Sequence, residues 1–174
     1  TGAFLGDTAA TVFSGAPQLT SEGAAMSASV AGGPYVITIA NGTLTALDGY
    51  VLAFNGAGRL TVNPKTLTAA LAGSVEKTYD GTTVASLASG NYTLTGVVGS
   101  DVVSLNNWSS GYFDTMNAGT GKTVSVSGLT LSGASASNYA LAATSLSGAI
   151  GIIDPAALGI IADAQNKVYG ATDP

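Results

Sequence analysis

The chain has no cysteine and no histidine, and only 9% of its 174 residues are charged. Without cysteine there is no disulfide and no thiolate metal site. Without histidine, general-base and nucleophile roles fall on carboxylates, lysines, serines and tyrosines, and the ten carboxylates are spread singly through turn-like stretches. No catalytic set, and so no enzyme, is expected. The five cations, Arg59, Lys65, Lys77, Lys122 and Lys167, are scattered along a chain of net charge −5. A nucleic-acid binder clusters its cations to displace counterions from phosphates, so nucleic acid is not an expected partner. Long apolar runs are also missing. The longest apolar region, 149–162, is too short to span a bilayer and is broken by Asp154 and Pro155, so membrane insertion is not expected. The chain opens without a basic region and a long apolar run, so its start reads as internal to something longer.

What is present is small, uncharged and prone to strands. Apolar residues make up 46% of the chain beside 24 glycines, enough for a core and too apolar for disorder. Tyr35, Ile37 and Ile39 alternate with Val36 and Thr38, and Asn41-Gly42 offers a turn before Thr43 to Thr45. This predicts a hairpin. A second is predicted from Tyr50 to Phe54, through Asn55-Gly56-Ala57-Gly58, and back through Leu60 and Val62. Further on, Val124 with Val126, Leu129 with Leu131, and Tyr139 with Leu141 keep the two-residue period. Ser147 to Ile153 reads as a last strand with Ile150 and Ile152 on one face, closed by Pro155. Helical spacing is not sustained, although Asp7 and Asp101 can each cap a single turn. The fold class expected is all-β, as tandem small Ig-like β-sandwich modules or, alternatively, β-grasp-like modules, with no substantial helix.

Internal similarity carries the most information. Val62-Asn63-Pro64-Lys65-Thr66-Leu67 parallels Ile153-Asp154-Pro155-Ala156-Ala157-Leu158, and Glu76-Lys77-Thr78-Tyr79-Asp80-Gly81 parallels Asn166-Lys167-Val168-Tyr169-Gly170. Gly49-Tyr50-Val51-Leu52 echoes Asn138-Tyr139-Ala140-Leu141 at nearly the same offset, about ninety residues, the size of one small β-sandwich. The division expected is a module lacking its first strand at 1–64, a complete module at 65–155, and the first strand of a further module at 156–174.

Lys77-Thr78-Tyr79-Asp80-Gly81-Thr82-Thr83 resembles the signature of the YDG domain, and 162–171, with Lys167-Val168-Tyr169-Gly170, resembles the opening of the YGX-type MBG domain. The resemblance implies extracellular β-modules in tandem within very large bacterial adhesin-like proteins, including those similar to filamentous haemagglutinin. It implies a structural role for Lys77, Tyr79, Asp80, Gly81, Lys167, Tyr169 and Gly170. Physically, such a tyrosine is expected to bury its ring, while the glycine supplies the positive φ of a tight turn. The function expected is a stalk or filament repeat at the cell surface, stacked head to tail, its partners being neighbouring copies or repeats of itself. The 156–174 strand would complete the sheet of the next incomplete module.

Other chemistries are weaker. Trp108, Tyr112 and Phe113 are the densest aromatic group. As an exposed platform they would make the alternative a carbohydrate-binding adhesion module with a glycan or host surface as partner; as core residues they would only stabilise the module. Ala118-Gly119-Thr120-Gly121-Lys122-Thr123 has a P-loop ending, but Met116 stands where that loop needs glycine and a strand follows, so a hairpin turn is expected. No cofactor is expected. Calcium at module junctions would need Asp154 to join Asp80 or Asp163. An isopeptide link would need Lys77 or Lys167 to meet Asn63 or Asp154.

Overall fold

The computed structural model describes residues 7–47 and 49–173. Residues 1–6, which open the first expected module and include the glycine preceding Asp7, lie outside the described residues, as do Asp48 and Pro174. The fold is all-β. Among the described residues, one four-residue helix, α1 (Ala9–Val12), and three 3-10 turns at Glu22–Ala24, Ser89–Asn91 and Ala136–Asn138 interrupt sixteen strands. The first six are short: β1 (Phe13–Ser14), β2 (Gln18–Thr20), β3 (Tyr35–Val36), β4 (Thr38–Ala40), β5 (Thr45–Ala46) and β6 (Arg59–Leu60). Then come β7 (Lys65–Leu71), β8 (Val75–Thr78), β9 (Val84–Ser86), β10 (Tyr92–Thr95) and β11 (Ser104–Asn106). The last are β12 (Ser110–Phe113), β13 (Gly119–Val126), β14 (Thr130–Ser132), β15 (Tyr139–Leu141) and β16 (Leu146–Asp154). No helix is long and apolar enough to cross a membrane among the described residues.

The chain forms two compact units, one from residues 1–69, 94–106 and 130–143, the other from 70–93, 107–129 and 144–174. The second is organised by a five-stranded sheet in the order β8-β16-β13-β12-β9. Its long strands are β-branched and alternate: Val124 and Val126 are buried while Ser125 between them is exposed. Val75, Ala85, Phe113 and Ile153 join them in the core. Each of the valine, isoleucine and phenylalanine side chains contributes about 1.5–3 kcal/mol by leaving water. The edge strand β8 carries Glu76 and Lys77, charges that discourage uncontrolled pairing. Pro155, without an amide hydrogen, follows directly on β16.

Two irregularities adjust the β13–β16 ladder. Thr120 faces Ile152 and Lys122 faces Gly151, so Gly121, at φ 66°, is an extra residue in β13. A second shift follows before Val124. The phase of burial along β16 changes with it, which puts Ile153 in the core and leaves Ile150 and Ile152 half-buried. The stretch Gly119 to Thr123 is therefore the opening of a strand with a bulge, and the chain turns just before it.

In the first unit, β15 runs parallel to β7, with Tyr139 opposite Lys65 and Leu141 opposite Leu67. β11 pairs with β14 through Leu105 and Leu131. The two hairpins expected in the first third of the chain do not form. β3 and β4, on either side of Ile37, pair with β6 and β2 respectively, and β5 pairs with β1. Asn41-Gly42 does turn the chain, closed by the Leu44 amide donating to the Asn41 carbonyl at 2.8 Å. The strands on its two sides nevertheless go to different partners. Residues 50–58 carry no strand.

The pairings of residues 7–64 recur further along. β1–β5 has the same place in chain order as β11–β14, and β2–β4 the same as β12–β13. β3–β6 matches the opening of β13 with the end of β16. The Tyr50 hydroxyl donates to the Asp7 carboxylate at 2.6 Å, as the Tyr139 hydroxyl does to that of Asp101, also at 2.6 Å. The echo seen in sequence is thus a repeat of contacts as well as of letters.

Candidate functional site

The signature residues meet at the end of β8. Lys77 lies opposite Ile153 in the parallel β8–β16 pair, which carries its side chain to the turn that leaves the strand. Its ammonium donates to the Asp80 carboxylate at 2.8 Å, to the Thr82 carbonyl at 2.8 Å and to the Thr82 hydroxyl at 3.0 Å. It also sits 5.5 Å from the centroid of the Phe113 ring, within range of a cation–π attraction. Asp80 accepts in addition from the Thr82 amide and hydroxyl, both at 2.9 Å. The Tyr79 amide donates to the Asp154 carbonyl at 2.8 Å, extending the β8–β16 ladder. Gly81 closes the turn at φ 75°.

Lys77 and the Thr82 donors hold the Asp80 carboxyl down to about 2 from an ordinary value of 3.8. A depressed carboxyl pKa contributes stability that is present above pH 3.8 and is lost as pH falls through about 2. Asp80→Asn is therefore expected to lower the thermal midpoint at pH 6, with the gap to the parent chain closing by pH 2. A gap that stays constant across that range would show that the carboxylate's charge is not what holds the turn.

The tyrosines of the signature behave differently from expectation. Tyr79 is 40% exposed and Tyr169 wholly so; neither ring is buried, because each lies beyond the end of the strand pairing that would cover it. Among the tyrosines that do combine a covered ring with a bound hydroxyl are Tyr92 and Tyr139. Tyr92 donates to the Trp108 carbonyl at 2.7 Å, and Tyr139 donates to Asp101 while accepting from the Val98 amide at 3.0 Å. The bond to Asp101, with burial adding, raises the Tyr139 phenol above its ordinary pKa. Both follow a 3-10 turn ending in asparagine. Asn91 accepts from the Ala88 amide and donates to the Ser74 carbonyl, each at 2.9 Å, and Asn138 accepts from the Val30 amide at 2.9 Å. The repeated Asn-Tyr pair was the signal in the sequence that points to them.

The second signature copy is only partly assembled. Lys167 pairs with the Asp173 carboxylate, and Gly170 turns at φ 86°, but residues 155–173 carry no strand. The ammoniums of Lys77 and Lys167 thus go to Asp80 and Asp173, and neither meets Asn63 or Asp154. Among the described residues there is no group of three carboxylates that could hold a cation.

The aromatic group is divided by strand alternation. Phe113 is 3% exposed and Tyr112 63% exposed, as neighbours on β12 that face opposite ways. Trp108 precedes the strand, half-buried, with its carbonyl taken by Tyr92. The three do not form one platform.

These features define an all-β module whose opening strands run parallel to its closing ones and whose turn after β8 is clamped by a lysine. A YDG domain is found at residues 63–146. No curated protein and no solved structure matches the chain.

Proposed function

We propose that the chain is a structural repeat segment of an extracellular, adhesin-like bacterial surface protein, in which MBG-like and YDG-like modules follow one another head to tail. The observation that supports this is the contrast between two copies of one segment. Leu67 on β7 is fully buried, opposite Leu141 in parallel pairing. Its sequence counterpart Leu158 is 88% exposed, together with Ile160, Ile161, Val168 and Tyr169. So long a stretch of uncovered apolar side chains calls for a partner.

The matching acceptor is residues 7–64. They repeat the pairings of the later strands, but residues 51–52 and β6, which correspond to parts of β15 and β16, have no parallel strand beside them among the described residues. Residues 156–173 of one copy then take, in the next, the role that β7 and β8 take in the YDG domain. Backbone hydrogen bonds to an open edge provide the affinity, and alternate side chains such as Leu158 and Ile160 provide the register. Head-to-tail contact of this kind propagates without closing. The product is length, through short proline-containing junctions at Pro64 and Pro155 that limit the freedom of one module against the next.

Two copies fused head to tail test the reading by hydrogen exchange. Amides at 158–161 of the first copy and at 51–52 of the second are expected to gain protection by about two orders of magnitude over the single chain. Leu158→Asp in the first copy is expected to abolish the gain. Exchange at those amides as fast in the fusion as in the single chain would refute strand completion.

A further inference from the structure

The outer face of the five-stranded sheet holds a shallow groove of about 290 Å³ beside Tyr112. Tyr112 stands opposite Val84 on one side and Ser125 on the other, and Ser125 stands opposite Ser147. Ser127 and Ser145 complete a set of four serines in the lining. None of their four hydroxyls, nor that of Tyr112, makes a hydrogen bond within the described chain. No charged residue lines the groove.

An exposed phenol ring ringed by unengaged hydroxyls on a rigid sheet is an unusual surface. The ring offers an apolar face with a polar tip. Each serine can both donate and accept, which is what a ligand made of hydroxyls requires, and strands about 4.8 Å apart hold the hydroxyls in fixed rows. Acidic sugars are disfavoured, because their carboxylates need a cationic partner and the chain carries net charge −5. We propose that this groove binds a neutral hexopyranose, its apolar face stacked on Tyr112 and its hydroxyls on Ser125 and Ser147. This goes beyond the mechanical role and is independent of strand completion, so either can fail while the other stands.

The test is amide chemical-shift titration of the full chain with the methyl glycosides of glucose, galactose and mannose, and with N-acetylneuraminic acid as the acidic control. At least one neutral glycoside is expected to produce saturable shifts at Tyr112, Ser125 and Ser147, with none from the acidic sugar. Tyr112→Ala, at an exposed position that leaves the fold intact, is expected to weaken binding about tenfold or more, which corresponds to the loss of about 1.4 kcal/mol. Tyr112→Phe, which keeps the ring, is expected to bind nearly as the parent does. The proposal is overturned if no neutral glycoside shifts these amides, if the acidic sugar shifts them equally, or if Tyr112→Ala binds unchanged.

Discussion

Replacing Phe113 by alanine is expected to lower the free energy of unfolding by about 3–5 kcal/mol, the range for emptying a buried aromatic site. The same change at its neighbour Tyr112 is expected to alter it by no more than about 0.5 kcal/mol. The two residues share a strand and similar size, so the contrast isolates the face of the sheet on which each lies. Phe113 is buried, as are Val124, Val126 and Ile153, and carries the Lys77 ammonium over its ring. Its loss opens a cavity and removes one wall around the lysine that clamps the turn after β8. Urea unfolding of the two variants measures both quantities from midpoint and slope. Equal losses at the two positions would show that the outer face is packed as closely as the inner one.

Gly151→Val is expected to destabilise the chain by about 3 kcal/mol, at the upper end of the overpacking range. A Cβ at this position would lie 2.7 Å from Cε1 of Phe113 and 2.9 Å from the Lys122 carbonyl oxygen. The ring can be displaced only into other core residues, and the carbonyl belongs to the bulged stretch of β13 that faces Gly151. One clash is thus with a side chain and the other with backbone. Combining Gly151→Val with Phe113→Ala should then cost less than the two changes added together, because the valine enters the space the ring has left. The remaining deficit belongs to the Lys122 carbonyl. Strict additivity in urea unfolding would mean that Gly151 and Phe113 do not share that space.

The alternating pattern was legible wherever a strand has one covered and one open face. Val124 and Val126 show it, with Ser125 between them, and so does the pair Tyr112 and Phe113 once the strand is known to start at Ser110. The pattern says that successive side chains separate, but not which of the two faces inward, since both are aromatic. Ile150 and Ile152 do share a face, as their alternation says, but it is the less buried one. The register shift between Lys122 and Val124, where β16 carries the extra residue, puts Gly151 and Ile153 on the buried face instead. A bulge depends on how two strands fit each other, so one strand's letters do not reveal it.

Strand partners were the least legible feature. Asn41-Gly42 has the composition of a hairpin turn and does turn the chain. The residues before it pair with β2 and those after it with β1, so the composition of the turn does not decide which strands pair. Parallel pairs such as β7–β15 and β8–β16 join residues far apart in the chain and leave no short-range signal at all. The lysine clamp was half visible: the Lys77-x-Tyr79-Asp80-Gly81 run marks the turn, but the Thr82 contacts and the ring of Phe113 beneath the ammonium come from folding.

By itself, the sequence determined an all-β chain without cysteine or histidine chemistry, repeated at an interval of about ninety residues, with its turns marked by Gly, Asn and Pro. These are properties of composition and of neighbours along the chain. Only the tertiary structure decided that Leu67 is buried while its counterpart Leu158 is exposed, that Tyr50–Asp7 and Tyr139–Asp101 are one contact made twice, and that Tyr112 faces outward among unengaged serines. The reason is the same in each case: burial and pairing depend on segments that meet across the fold, and equal letters acquire unequal surroundings when one copy finds its partner strand and the other does not.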